Sequence, residues 1–385
     1  MTGRPLRILL VGDYPDDPRL GSAKVPHKLR EEFRAAGHEC DALFAGDLGM
    51  SPSGRQIRQL VAPVLAYRAV RRAAAPRPYD VIDAASAEGL WLGAGQWLGR
   101  RAAVVISRSN GLEHRNYQRM LDDSRHGLMP KPWPRRIWYP ASRLSQVAAA
   151  ARMADRLIVL TESDRQFALD RGWQPADRIH AVGHGVSERF LANVPGPSPR
   201  GAGVLFCGSW DQTKGIRYLV EAFDQLAREN RPLPLTILGS GPDAATVLAA
   251  FPEAARPHVR VIARVPEDVV LAEFRRHDLL VFPSTYEGFG LVVIEAMSQG
   301  LPVVATPVGC VPDVVRDGQD GLLIPARDGR ALAAAVRRLM DRPQDRIRMG
   351  ASAATRVSSM SWARTARRTI DIYEEALAAR GLRQP

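Results

Sequence analysis

Residues 278–306 read DLLVFPSTYEGFGLVVIEAMSQGLPVVAT. A short apolar run ends at Phe282, the length of a buried strand. Pro283 breaks it, and a polar, glycine-bearing loop runs to Gly290. A second apolar run follows and stops at Gly300, with Pro302 just beyond, the stop signal of a helix. PVVAT then resumes as a strand. Strand, loop, helix and strand with tight connections make the βαβ unit of a parallel sheet. Ligands of such sheets bind beyond the carboxyl ends of the strands, so the loop 283–290 faces a ligand. Two acids bracket its glycines. Glu287 lies on the loop, and Glu295 lies inside the helix, past its first turn. An acid in an apolar helix can also sit on a solvent face, and that reading of Glu295 stays open. Gly288 and Gly290 permit close backbone approach and leave amides to point at an anion.

The same alternation extends in both directions. Upstream, LRILLVG (6–12), CDALFA (40–45), YDVIDAAS (79–86), AAVVISRSN (102–110) and ADRLIVLTES (154–163) read as strands, with a helical pattern over 22–39. LANVPGPSPRGAG (191–203) is rich in Pro, Gly and Ser and reads as a linker. Beyond it GVLFCG, PLTILGSG and VRVIARV are strands, IRYLVEAFDQLAREN is a helix, and the chain from Gly329 is helix-rich. Two α/β units follow, in line with 385 residues at ~150 per domain. In VLFCGSWDQTKGIRYLVEAF (204–223), Lys214 and Gly215 precede a helix, where a cation and the helix dipole converge on a phosphate. LTILGSGPD carries neither the G-x-G-x-x-G nor the P-loop pattern, which disfavours a standard dinucleotide site or an NTPase.

Composition is that of a soluble globular protein, 45% apolar and 24% charged. The start lacks a signal-peptide apolar core and no window reaches the ~18 apolar residues of a membrane span, so a cytoplasmic protein is expected, on its own or at the inner face of a membrane. Cys40, Cys207 and Cys310 have no C-x-x-C spacing and read as free thiols. Net charge is +12, unevenly placed: residues 1–200 hold 30 Lys+Arg against 20 Asp+Glu (+10), which leaves 23 against 21 (+2). Within MPKPWPRRIWYPASR (129–143), Trp133, Trp138 and Tyr139 mix with Lys131, Arg135, Arg136 and Arg143. Rings beside cations suit an anionic membrane interface; a Pro-rich loop with its tryptophans packed inside is the other reading. No nucleic-acid signature accompanies the basic balance.

The second half, about 203–325, resembles the nucleotide-binding domain of family 4 retaining glycosyltransferases. FCGSWDQTKG, LTILGSGP, VRVIARVP and FPSTYEGFGLVVIEAMSQGLPVVATPVGCVPDVVRDGQDGLLI occur in the family's order, with its two-glutamate spacing at Glu287 and Glu295. The first half resembles it more loosely. The resemblance implies an α/β GT-B fold, two Rossmann-like domains facing across a cleft with a helical C-terminal segment. The expected division is an acceptor-binding domain 1–195, a nucleotide-sugar domain 196–365, and a helix 366–385 returning to the first.

Carried over, the resemblance gives Glu287 the donor sugar's hydroxyls, Lys214 the diphosphate and Glu295 the ribose. The amides of Gly288, Phe289, Gly290 and Leu291 would meet sugar and diphosphate, with Gly208 and Ser209 nearby. Arg264 and Val265 would lie beside the base, and Gly21 would let the backbone approach the donor phosphate. Two departures stand out. Ser209 occupies a position where the family usually has Arg. A family His before Gly is here Asn110, before Gly111, with His114 three residues on; either Asn110 or His114 is the candidate near the reacting centre, as acceptor-binding or catalytic group. The implied reaction is retaining transfer of a hexose to a glycan, lipid-linked or small-molecule acceptor, with the nucleotide sugar as co-substrate, no cofactor and no metal. No Asp-x-Asp triplet looks placed to hold one. The alternatives are a catalytically silent sugar-nucleotide binder, a GT-B epimerase or phosphorylase, and a basic nucleic-acid binder.

Overall fold

The computed structural model describes residues 4–17, 21–49, 55–97, 103–128, 133–192, 194, 196 and 200–382. It contains two units, one of residues 1–184 with 362–385 and one of residues 185–361.

In the first unit six parallel strands, β1 (Arg7–Val11), β2 (Glu39–Leu43), β3 (Val81–Ala85), β4 (Val104–Arg108), β5 (Arg156–Val159) and β6 (Ile179–Ala181), form a sheet in the order β2-β1-β3-β4-β5-β6. β3 and β4 are buried along their whole length, as a sheet covered on both faces requires. The strand order reverses between β1 and β3. On one face Leu9, Val11, Ile82 and Ala84 pack with Ala62, Ala66 and Val70 of the helix Arg55–Ala74. Against the other lie Phe33 of the helix Gly21–Ala35 and Tyr373 of the helix Trp362–Ala379, ring centroids 5.9 Å apart. The Tyr373 hydroxyl donates to the Asp83 carboxylate of β3, which also accepts from Arg108 of β4 at 2.6 and 2.8 Å. The last helix is thus tied into this unit by a buried polar network. Burial, with the Asp83 charge adding to it, pushes the Tyr373 hydroxyl well above its usual range.

The second unit repeats the architecture. β7 (Val204–Cys207), β8 (Leu235–Leu238), β9 (Val259–Ile262), β10 (Leu279–Phe282), β11 (Val303–Ala305) and β12 (Gly321–Leu323) are parallel, in the order β12-β11-β10-β7-β8-β9. The order reverses between β7 and β10, which pair Val204 with Leu279. Leu219, Phe223 and Leu226 of the helix Ile216–Arg228 share a core with Leu332, Val336 and Leu339 of the helix Gly329–Met340.

Several boundaries differ from the sequence expectation. The first unit ends at 184, not 195, and its last helix starts at Trp362, not 366. The stretch 191–203 is no free linker at its end. Arg200 donates to the carbonyls of Phe274 and Gln299, and the Gly201 amide donates to the Asp278 carboxylate. Composition marks a turn-rich stretch, but those bonds fasten it to the second unit's own core.

Of residues 129–143, expected as a Pro-rich loop or an aromatic interface, those described are helical: Trp133–Tyr139 runs into a π-helical turn Pro140–Leu144, and the helix Ser145–Met153 follows. Tyr139 and Arg143 are buried, so neither faces a membrane. Arg143 reaches Glu88 at 3.2 Å and Glu113 at 2.9 Å, and Trp138 packs edge-on against Tyr139. Lys131 lies outside the described residues, as do the side chains of Trp133 and Arg135. Among the described residues no helix is long and apolar enough to cross a membrane.

Candidate functional site

In the second unit the candidates gather where β7 and β10 lie side by side. The strand reversal there opens a crevice beyond the carboxyl ends, with one helix leaving from each side. The loop after β7 is braced by Asp211. Its carboxylate accepts from the Thr213 amide at 2.8 Å and from the Ser209 hydroxyl at 2.9 Å. Desolvation opposes the Asp211 charge, but the Thr213 and Ser209 bonds outweigh it and hold this acid below its usual range. Ser209, where a cation was expected, instead orients a carboxylate. Arg217, the first cation of the following helix, pairs with Glu221 on an exposed face.

Two loops separated by seventy residues are stitched together at this point. The Thr285 amide donates to the Thr213 carbonyl at 2.7 Å. Gly215, at φ +71°, packs so closely that a Cβ would overlap the Pro283 carbonyl. This contact carries Lys214 to Glu287: Nζ and Oε1 are 2.6 Å apart, with the side chains 25% and 10% exposed. The Ser284 hydroxyl donates to the same Oε1 at 3.1 Å and fixes the carboxylate's direction.

Past Glu287 the chain turns through Gly288, Phe289 and Gly290 into the helix Leu291–Ser298. Gly290, at φ +94°, makes the turn that starts the helix. The first amides of any helix lack intrahelical acceptors and carry its positive pole, so Leu291 and its neighbours present donors at the crevice. A Cβ on Gly309 would overlap the Phe289 carbonyl, and the Cys310 amide donates to that carbonyl at 2.7 Å. Glu295 is buried, which removes the solvent-face reading. Burial first, then the Glu295 charge, push the Cys207 thiol at the end of β7 up to about 12, while Lys214 pulls the other way. Glu295 and Lys214 therefore both lie within electrostatic reach of that strand end. Arg264 and Val265 follow β9, two strands from β7, about 10 Å at ordinary strand spacing.

The first unit has its own crevice beyond β1, β3 and β4. Asn110, two residues past β4, donates through Nδ2 to the Tyr14 hydroxyl at 2.5 Å, while its buried Oδ1 has no hydrogen-bond partner among the described residues. The Tyr14 ring lies over Gly12, where a Cβ would strike it. Beside them, Ser86, at φ +50°, donates to Glu113 at 2.5 Å, and Tyr139 donates to the other Glu113 oxygen at 3.1 Å. His114 is not part of this group. Its ring packs edge-on against Trp173 at 4.8 Å, and burial, helped by Arg171, lowers its pKa to about 4. His114 thus sits in an aromatic cluster with Phe167 and Trp173, while Asn110 is the one bonded to Tyr14. Gly21 is the first residue of the helix Gly21–Ala35 rather than part of the loop before it. The sequence reading missed Ser284, Thr213, Tyr14 and Glu113. Glu113 stood one residue from His114, one of the two candidates named there. Among the described residues no three His, Cys, Asp or Glu come together as a metal-binding group.

The family model described as Glycosyl transferases group 1 matches residues 201–342. A D-inositol 3-phosphate glycosyltransferase of Frankia alni is 31% identical over 304 residues, 73% of each chain. Three further relatives of that name, 33 to 34% identical, are spanned by this chain over only 40 to 62% of their lengths. Among solved structures, sucrose-phosphate synthase from Thermosynechococcus elongatus shares the fold at TM-score 0.78 and 21% identity, over 97% of this chain and all of that one. Anabaena Alr3699/HepE in complex with UDP matches at TM-score 0.69 and 17% identity, over 96% of this chain and all of that one.

Proposed function

Because the chain belongs to the group 1 glycosyl transferases, whose GT-B fold of two Rossmann-like domains it shares, we propose that it transfers a hexose from a nucleoside diphosphate sugar, with retention of configuration. The single observation that carries this reading is the Lys214–Glu287 pair at the strand reversal of the second unit, beside a helix N-terminus. A cation, a fixed carboxylate and oriented amides suit a diphosphate joined to a sugar.

In this reading Lys214 leaves Glu287 for the diphosphate, and Glu287 turns its freed oxygen to the sugar hydroxyls. Gly208, Ser209 and the Gly288, Phe289, Gly290 and Leu291 amides line the diphosphate. Glu295 takes the ribose, and Arg264 and Val265 lie by the base. The bond from the anomeric carbon to the diphosphate oxygen breaks, and the electron pair leaves with the nucleoside diphosphate. The acceptor hydroxyl attacks from the same face and gives its proton to the departing phosphate oxygen. Lys214 and the amides stabilise the growing phosphate charge by preorganisation. Asn110 Oδ1 accepts from the acceptor hydroxyl and orients it. These residues supply the positive charge themselves, so the step needs no metal.

UDP is the nucleotide to test first, given the fold shared with a UDP-bound protein. The acceptor is a glycan, a lipid-linked sugar or a small molecule, and the working place is the cytoplasm, where nucleotide sugars are made. The deciding experiment is a thermal-shift screen of nucleoside diphosphates and their sugars, followed by turnover with the hit in the presence of a chelator. Stabilisation and turnover together support the reading. Binding without any turnover on a panel of acceptors favours a silent sugar-nucleotide binder. No stabilisation by any nucleoside diphosphate refutes both.

A further inference from the structure

Three segments of the first unit contain no acid at all: residues 48–79, 89–112 and 124–154. They hold 6, 3 and 6 Lys+Arg. The same segments carry the helices Arg55–Ala74, Leu90–Trp97 and Trp133–Tyr139. Of the seven large hydrophobic side chains exposed among the described residues, five sit on these helices: Leu60, Val61, Val64, Trp91 and Ile137. The helices are neighbours. Arg55–Ala74 packs against Leu90–Trp97 and against the π-helical turn Pro140–Leu144 that continues Trp133–Tyr139. Gln146 donates to the Leu60 carbonyl at 3.2 Å. The exposed side chains therefore belong to one region.

The helix Arg55–Ala74 shows how that region is built. Its inner face, Ala62, Ala66, Ala69 and Val70, covers the sheet. Its outer face reads Leu60, Val61, Val64, Arg68, Arg71, Arg72, at helical spacing. The apolar groups come first and the cations follow, without one acid on the helix. A surface that only needed solubility would mix acids with its arginines and turn few large apolar groups outward. Ile137 at 64% exposure and Trp91 at 48% are the extremes of the pattern.

We infer that this face of the first unit docks on an anionic lipid bilayer, Leu60, Val61, Val64, Trp91 and Ile137 entering the headgroup boundary and Arg68, Arg71 and Arg72 meeting lipid phosphates. The charge complementarity selects the occupant. A second copy of this chain would bring the same acid-free, cationic surface and repel it. Neutral apolar partners would leave the arginines unanswered. Interfacial binding draws on both buried apolar area and attraction to anionic headgroups. The inference concerns a different surface from the proposed sugar-nucleotide site and does not depend on its chemistry.

The test is co-sedimentation of the full chain with vesicles of phosphatidylcholine alone and of phosphatidylcholine mixed with phosphatidylglycerol. The mixed vesicles should bind at least about tenfold more tightly, and added salt should weaken the binding. Ile137→Glu and Trp91→Glu should each lower the partition about tenfold, and so should the paired change Arg68→Glu with Arg72→Glu. Unchanged thermal unfolding of these surface variants excludes misfolding as the cause. Equal binding to both vesicles, no binding to either, or variants that bind as the wild type would overturn the inference. So would a wild-type dimer that Ile137→Glu dissociates, since the face would then belong to a second copy.

Discussion

Lys214→Ala tests the site most directly, because its two effects have different sizes. Lys214 Nζ is 2.6 Å from Glu287 Oε1, with the lysine a quarter exposed and the glutamate nearly buried. Breaking a fully buried pair costs ~3–5 kcal/mol and an exposed one ~0–1 kcal/mol. This pair lies between them. Glu287 keeps the Ser284 hydroxyl at 3.1 Å, so its charge is not left bare. A loss of about 1–2 kcal/mol is expected, a fall in Tm of roughly 2–6 °C. Activity should fall much further. A preorganised group aimed at developing charge is worth ~10²–10³ in kcat. The assay is release of nucleoside diphosphate with the donor found by thermal shift, beside an unfolding curve for each variant. Lys214→Arg keeps the charge but moves it, and should recover stability before turnover. If Lys214→Ala unfolds like the wild type and turns over within tenfold of it, the lysine neither holds Glu287 nor meets the diphosphate, and the site reading fails.

Other expectations follow from single contacts. Asn110→Ala removes the orphaned acceptor, and should lower kcat about tenfold or more while the affinity for the nucleotide stays put in a titration with the nucleoside diphosphate; a matching loss of nucleotide binding would contradict its placement. Gly215→Ala combines a left-handed φ with overlap on the Pro283 carbonyl, so it should cost at least ~2 kcal/mol, read as reduced soluble yield and a lowered Tm. Tyr373→Phe keeps the Asp83–Arg108 pair and removes one buried hydrogen bond, a loss of ~1–2 kcal/mol by chemical denaturation. Glu88 is fully buried, and desolvation outweighs Arg143 to raise its pKa from 4.5 to about 6. A folded-state pKa above the unfolded value means the native state holds the proton more tightly. The stability that Glu88 contributes is therefore present below pH ~4.5 and lost as pH rises to ~6, by roughly 2 kcal/mol. The stability difference between wild type and Glu88→Gln should fall by that amount across the window; a flat difference refutes it.

What the sequence disclosed and what it hid follow from range. The strands were legible because a parallel sheet buried on both faces leaves near-continuous apolar runs, as in VVISR and LLVF. The site loops were legible because they follow those runs at once and carry glycine and charge together. The helix Arg55–Ala74 was not, since Pro63 lies inside it and its outer face is itself apolar in part, which blurs the helical period. Tyr139 and Arg143 looked like an interface because local composition puts rings beside cations. Only the distant acids Glu88 and Glu113 make that arginine a core group. His114 and Glu113 were one residue apart, and which of them meets Ser86 depends on where the helix Glu113–Arg125 begins. That start is a matter of one peptide, below what periodicity resolves.

Ser209 leaves the loop after β7 without a second cation beside Lys214. A second positive charge beside Lys214 would strengthen diphosphate binding, yet the loop holds Asp211 there, its charge favoured by Thr213 and Ser209. An acid in this loop repels a diphosphate unless its lone pairs are already engaged, and here the Thr213 amide and the Ser209 hydroxyl engage one oxygen each. The loop's shape therefore depends on the acid, and the shape is what delivers Lys214 to Glu287. Ser209→Arg should then have a sign that separates the two effects. If electrostatics limits donor binding, the new arginine tightens nucleoside diphosphate affinity severalfold, as a charge-assisted contact would. If loop shape limits it, arginine releases Asp211 from the serine, pairs with it instead, and weakens both affinity and turnover. The structure favours the second outcome, because the Ser209 hydroxyl already donates to the Asp211 carboxylate at 2.9 Å, so a cation at 209 starts beside that acid. An isothermal titration of the variant with nucleoside diphosphate that shows tighter binding and a preserved Tm would refute this account of the loop.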